Sequence, residues 1–265
     1  VSVLVPVAPD RSAALARRNP LAKLGAALVV MLVLLATVDP VTPGLLLAVE
    51  LSVLPATGVR AGTLARRTWP LLLGVAGVAL ANLLVVEGGR VLFEWGPFDV
   101  TSAAVSAAFA LSLRLLAIAL PGILALATTD PMDLADSLVQ RLHVSARFAY
   151  GALAALRLLP LLALEWHTIG RARRARGLDA GRSPVAAGRL FASQVFALLV
   201  AAVRRGVRLA AAMDARGFDA ATTRTVARPQ VVRPGDWWLL AGTVAAAVLA
   251  VSVSVATGYW DPLLG

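Results

Sequence analysis

Residues 148–166 read Phe148-Ala-Tyr-Gly-Ala-Leu-Ala-Ala-Leu-Arg157-Leu-Leu-Pro160-Leu-Leu-Ala-Leu-Glu165-Trp166, and a second apolar run, Phe191 to Val203, follows with Arg204, Arg205 and Arg208 directly behind it. The first run is about long enough to cross a bilayer, but Arg157, Pro160 and Glu165 interrupt it. How these two runs are read decides the fold. As an added pair of spans they would leave residues 167–189 outside, carrying Arg171, Arg173, Arg174, Arg176, Arg182 and Arg189. An outer loop that basic violates the positive-inside rule. The alternative is a pair of long amphipathic helices lying along the cytoplasmic face of the membrane. The charge pattern favours it.

The rest of the chain is membrane-like. Of 265 residues 59% are hydrophobic, and the mean hydropathy is +0.80, well above the apolar share of a water-soluble domain. The expected spans are Leu21–Val38, Pro43–Val59, Trp69–Val86, Ala103–Thr128 and Trp237–Thr257. The turn Asp39-Pro40-Val41-Thr42-Pro43 joins the first two as a helical hairpin, and Trp69 and Trp237 open later spans at interfacial depth. The predicted fold is all-α: a polytopic membrane protein with about five transmembrane helices, and long amphipathic helices at the cytoplasmic face between spans four and five. Its regions are a cytoplasmic N-terminal segment (1–20), a four-helix membrane region (21–128), a cytoplasmic helical region (129–236) and a last span with an outer tail (237–265). No small-residue cleavage pattern follows an apolar core near the start, so no removable signal peptide is expected.

Charge sets the orientation. The chain has 25 Lys and Arg against 15 acidic residues, a formal net charge of +10. All the basic residues but Arg90 and Arg114 fall in the N-terminal segment through Lys23, the loop after span two, or residues 129–236. The remaining loops are net acidic. The N-terminus is therefore placed in the cytoplasm and the C-terminus outside, in a bacterial cell membrane; the excess of Arg over the single Lys23, with abundant Ala, Val, Gly and Leu, suits a GC-rich bacterial genome. The same charge pattern disfavours nucleic acid as a partner.

Several chemistries have no residues to carry them. Cysteine is absent and only His143 and His167 are present, so neither thiolate nor His-based metal sites are expected, and both histidines read as interfacial. There is no Gly-x4-Gly-Lys-Ser/Thr loop to hold ATP phosphates and no nucleophile–base constellation. No cofactor is expected, and the chain reads as a non-catalytic subunit.

Two near-copies of one hexamer carry the functional reading: Ala175-Arg176-Gly177-Leu178-Asp179-Ala180 and Ala215-Arg216-Gly217-Phe218-Asp219-Ala220. In each, Gly suits the left-handed residue that ends a helix, and Arg suits the negative end of the dipole. Ridges of basic residues lead into them: His167, Arg171 and Arg174 in one, Arg205, Arg208 and Arg216 in the other. A pair of exposed arginines at two helix ends suits a plug for two matching sockets. Upstream, Asp130-Pro131-Met132-Asp133 predicts a helix start, running to about Leu142.

On these residues the chain resembles the transmembrane T components of energy-coupling factor (ECF) transporters, the group that includes cobalt-, nickel- and biotin-uptake membrane subunits. Members carry two Ala-Arg-Gly signatures at the ends of cytoplasmic coupling helices, matching Ala175-Arg176-Gly177 and Ala215-Arg216-Gly217. Leu15-Ala-Arg-Arg-Asn-Pro-Leu-Ala-Lys23 and Thr128-Thr129-Asp130-Pro131-Met132-Asp133-Leu134 resemble two further family segments. The resemblance spans about residues 15–257. It implies two cytoplasmic ABC-type ATPase subunits, a small membrane-embedded S component that binds a vitamin or metal ion, and this chain as the coupler. Arg176 and Arg216 would each enter an acidic groove on one ATPase, with Asp179, Asp219, Arg174 and Arg208 in support. The denser cluster Arg171, Arg173 and Arg174 reads as charge against anionic lipid.

Inside the spans, Arg114 is an expensive charge that needs a partner, and Glu50 is the expected one, in a pair holding spans two and four together. Gly74, Ala76, Gly77 and Ala79 give span three a small-residue surface for close helix contact. Two other functions fit parts of the pattern: a self-contained secondary transporter, for which only Glu50 and Arg114 supply intramembrane charge and no repeat of spans is evident, and a membrane scaffold that recruits acidic proteins or lipid.

Overall fold

The computed structural model describes residues 13–59, 61–95, 98–178, 183–218, 226 and 228–260. It is 79% helical. In chain order the elements are α1 (Pro20–Ala36), α2 (Val41–Val53) with a 3-10 turn (Leu54–Thr57), α3 (Ala61–Val85), β1 (Val91–Trp95), β2 (Phe98–Thr101), α4 (Ser102–Ala127), α5 (Pro131–Arg141), α6 (Ala146–Ala175), α7 (Pro184–Ala215) and α8 (Pro234–Ala256). They fall into two compact units, one formed by α6 and α7 and one by the remaining elements.

The larger unit is a helical bundle. Its helices start where short polar side chains cap them. Asn19 accepts from Leu21 N–H ahead of α1, Thr101 from Ala104 N–H ahead of α4, and Asp130 from Met132 N–H ahead of α5; each satisfies a backbone donor that has no partner within the helix. Pro20, Pro131 and Pro234 occupy first-turn positions, where the missing N–H costs nothing. The core cluster is Val30 and Leu34 of α1, Leu46 of α2, Ala117 of α4, and Ala247 and Ala250 of α8. Three of these six are alanines, which let the helices approach closely. α3 packs along α4.

Buried polar ties clamp both ends of the bundle. Where α1 meets α2, the Asp39 carboxylate accepts from Thr42 N–H at 2.7 Å and from Ser254 Oγ of α8 at 2.6 Å. At the opposite end, Asp236 at the start of α8 accepts from Asn19 N–H at 3.0 Å and Arg233 N–H at 2.7 Å. Lys23 Nζ there donates at 2.7 Å to the carbonyl of Thr128, which closes α4, and α5 is tied to the segment before α8 by Arg141, whose guanidinium donates to the carbonyl of Gln230.

The smaller unit is the hairpin of α6 and α7. Trp166 and Phe191 meet edge to face at 5.5 Å, Gln194 Nε2 donates to the Trp166 carbonyl at 2.8 Å, and Arg205 pairs with Glu165 at 2.5 Å. Glu165, which breaks the apolar run in the sequence, is thus the counter-charge of an arginine on the facing helix. α7 has no buried residue within this chain; Phe196, Leu199, Val203 and Val207 are all more than half exposed.

Among the described residues five helices are long and apolar enough to cross a membrane: residues 68–85 of α3, then α4, α6, α7 and α8. They match the expected spans at three positions. α1 and α2 are shorter apolar helices: the 17 residues of α1 rise roughly 25 Å, against a hydrocarbon core of about 30 Å. Length and apolarity alone admit α6 and α7, while charge argues against them, so the two criteria select different sets of five. One element was not expected. The 87–101 loop contains an antiparallel hairpin pairing Val91 with Thr101 and Trp95 with Phe98. Its β-branched and aromatic residues on either side of Gly96-Pro97 are strand-formers, a signal that the loop's net acidity and the interfacial reading of Trp95 and Phe98 leave unused.

Candidate functional site

Both copies of the repeated hexamer close helices, and they do so identically. Arg176 and Arg216 are the caps of α6 and α7, each at φ −90° and ψ 8°. Gly177 and Gly217 follow in the left-handed region at φ 76° and 72°, where a side chain would be strained. Gly177 N–H donates to Arg174 O and Leu178 N–H to Arg173 O; likewise Gly217 N–H donates to Asp214 O and Phe218 N–H to Met213 O. This is the paired bond pattern of a Schellman end. The backbone thus turns sharply at each arginine, and Ala175, Ala215, Arg176 and Arg216 are all exposed. Among the described residues neither guanidinium has a hydrogen bond or ion pair.

The hairpin puts the two ends apart. Arg173, one turn before the first cap, donates to Leu190 O and Ser193 Oγ, each at 2.9 Å, so the α6 terminus lies beside the start of α7. Phe218, just past the second cap, meets Tyr150 edge to face at 6.3 Å, so the α7 terminus lies beside the start of α6. The helices have 30 and 32 residues, roughly 45 Å of length each. Arg176 and Arg216 therefore stand at opposite ends of one hairpin. Arg174 and Arg208 are exposed. The expected lipid-facing role of Arg173 needs correction, because its donors go to α7. Asp179 and Asp219 lie outside the described residues.

The expected pair of Glu50 and Arg114 is not formed. Arg114 Nη2 donates to the carbonyl of Thr37 at the end of α1, and the carboxylate acting on it is that of Asp39. Side chains lean toward the start of their own helix, and α4 begins at the Asp39 end of the bundle, so the long arginine climbs to that end. Glu50 lies nine residues after the start of α2, and neither of its buried carboxylate oxygens has a hydrogen-bond partner among the described residues. It lines a largely apolar cavity of about 320 Å³ with Lys23, Val53, Pro121, Trp238 and Ala246. Asp39 and Asp236, the acids that organise the bundle, were not singled out from the sequence. The available signal was an acid within two residues of a proline at a helix junction, Asp39-Pro40 and Pro234-Gly-Asp236.

Asp39 lies between helices. Burial alone would raise its carboxyl, but the bonds from Ser254 and Thr42 outweigh that and hold it below the usual carboxylate range.

A helical chain with several membrane-length apolar helices, and a hairpin whose two ends each present an exposed arginine, defines a multi-pass membrane protein. The family model for cobalt transport protein, CbiQ, matches residues 12–226, and the chain belongs to that family. Among its relatives, the energy-coupling factor transporter transmembrane protein EcfT of Limosilactobacillus fermentum is 34% identical over 188 residues, covering 67% of this chain and 70% of that protein. The corresponding protein of Exiguobacterium sibiricum is 30% identical over 190 residues, covering 69% and 72%; EcfT 1 of Listeria monocytogenes is 29% identical over 192 residues, covering 69% and 72%. The chain is the transmembrane component of a bacterial energy-coupling factor transporter, and so one part of a complex.

Proposed function

We propose that the chain transmits the motions of two cytoplasmic ATPase subunits to a small substrate-binding S component, driving uptake of a vitamin or metal ion, through Arg176 and Arg216. The observation that carries this reading is the matched pair of Schellman ends at opposite ends of the α6–α7 hairpin. Two identical plugs set roughly a helix length apart suit two separate sockets. Guanidinium suits an acidic socket because its planar fork makes two parallel bonds to one carboxylate and keeps its charge when desolvated. In this reading α6 and α7 lie at the cytoplasmic face, the N-terminus is cytoplasmic and the C-terminus outside. Arg171 to Arg189 then stay on the inner side, as the positive-inside rule asks. ATP binding and hydrolysis fall to the partners.

The test is assembly. The full chain carrying Arg176→Glu and Arg216→Glu, co-expressed with the ATP-binding subunits of its transporter, is expected to reach the membrane and to lose those subunits on purification. Like charges meeting in a desolvated groove cost several kcal/mol. Co-purification at the wild-type ratio would remove the proposal.

A further inference from the structure

At the end of the bundle where α8 begins, Arg17, Arg18 and Arg233 border one cavity of about 220 Å³ together with Ala14. Three like charges around one space repel each other unless something takes up their donors. Among the described residues nothing does, since no hydrogen bond or ion pair engages any of the three guanidiniums. The carboxylate of this junction, Asp236, is 1% exposed, and its oxygens accept the backbone N–H groups of Asn19 and Arg233 instead. Lys23, at the same end of the bundle, feels Asp133 and Asp236.

Arg18 is seated by the backbone. A Cβ added at Gly235, in the first turn of α8, would collide with the Arg18 guanidinium, so the side chain lies over the positive end of that helix dipole. Beside it Trp237 and Trp238 are 67% and 78% exposed. Exposed tryptophans at the end of a membrane helix mark the headgroup level of the bilayer.

We propose that this cavity holds the phosphate of an anionic membrane phospholipid. The guanidinium forks match phosphate oxygens, the start of α8 adds its own positive potential, and the tryptophan pair sets the cavity where lipid phosphates lie. A free phosphate ion shares this chemistry; the tryptophans commit the site to lipid. The proposal does not depend on where Arg176 and Arg216 dock.

Native mass spectrometry of the purified full chain tests it, with dioleoyl-phosphatidylglycerol and dioleoyl-phosphatidylcholine as probes. The wild-type chain is expected to retain phosphatidylglycerol at least about fivefold better, and Arg17→Gln with Arg18→Gln and Arg233→Gln to lower that retention roughly a hundredfold, at about 1 kcal/mol per basic residue near a lipid surface. A variant losing the same charge elsewhere, Arg66→Gln with Arg90→Gln and Arg189→Gln, should retain it as the wild type does. Gly235→Ala, which displaces Arg18 without changing charge, and Arg18→Gln alone should each lower retention about two- to fivefold, and either serves if the triple variant fails to fold. Equal retention of the two lipids by the wild type, or equal loss in the triple variant and its charge control, would overturn the proposal. Displacement of phosphatidylglycerol by about 10 mM inorganic phosphate would also overturn it, by assigning the cavity to a soluble anion.

Discussion

Ser254, in the last turn of α8, donates a 2.6 Å hydrogen bond to the Asp39 carboxylate between α1 and α2. Residues from opposite ends of the sequence thus close one end of the bundle. Asp39 is 2% exposed and Ser254 fully buried, so neither has water as a substitute partner. Removing one side leaves a buried polar group unsatisfied, at about 1–3 kcal/mol. Asp39→Ala and Ser254→Ala are each expected to lower the thermal midpoint in detergent, with the double variant costing less than the sum. A full sum of the two effects would show the bond to be energetically idle.

The same carboxylate gives a pH signature. Its folded-state pKa is held below the usual carboxylate value, so its contribution is complete above the unfolded pKa of about 3.9 and fades as pH falls through the lower folded value. The stability gap between wild type and Asp39→Asn is therefore expected to be constant from pH 7 to about pH 5 and to narrow below about pH 4. Thermal unfolding across that range measures it; a gap that widens on acidification would have the wrong sign.

Arg114 and Glu50 are expected to be energetically independent. In a double-mutant cycle on thermal stability, Arg114→Met with Asp39→Asn should couple by more than about 0.5 kcal/mol, whereas Arg114→Met with Glu50→Gln should be additive within that limit. Glu50→Leu should be neutral or stabilising, because it removes a carboxyl whose oxygens lack hydrogen-bond partners in the described structure. Strong coupling between Arg114 and Glu50 would restore the pair that the sequence suggested.

Elements with local signals were legible. Asn19-Pro20 and Asp130-Pro131 announce α1 and α5, and the Gly after each repeated Arg announces the ends of α6 and α7; all are decided within a turn of backbone. Long-range choices were not. Glu50 and Arg114 were paired because they are opposite charges inside spans two and four, but helix direction and side-chain lean set which end of the bundle each reaches. Arg173 read as lipid-facing for the same reason: nothing in a one-dimensional charge count shows that α7 offers it a carbonyl and a hydroxyl. The β1–β2 hairpin was missed because charge and interfacial aromatics, Trp95 and Phe98, and not strand propensity, guided the reading of residues 87–101.

Placement of the α6–α7 hairpin is open to direct labelling. The chain has no cysteine, so single cysteines can be introduced without removing any. Cysteines at Asp99 and Leu264 are expected to react with an impermeant maleimide on intact cells, and those at Arg66, Arg182 and Thr223 only after permeabilisation. Reaction at Arg182 from outside would make α6 and α7 a transmembrane pair, as their length and apolarity allow.

The two plugs should differ in what single and double changes do. With Arg176 and Arg216 at opposite ends of the hairpin, loss of one leaves the other free to hold its socket. Arg176→Glu or Arg216→Glu alone is therefore expected to keep one ATPase contact, so that uptake falls more than assembly does. Under the proposed coupling, transport needs both ends to be pulled, whereas assembly needs only one. Arg→Lys at either position should be partly tolerated, since the ammonium keeps the charge but cannot reproduce the two parallel bonds of the guanidinium. Arg→Ala should fall between Lys and Glu, because it removes the attraction without adding repulsion. Gly177 and Gly217 turn the backbone at each site at positive φ, which glycine adopts without strain, so all three replacements should keep the helix end intact. Circular dichroism checks that condition, and substrate-coupled ATP hydrolysis in lipid vesicles reads the function. Equal effects of Lys, Ala and Glu at both sites would show that the helix end, and not the guanidinium, makes the contact.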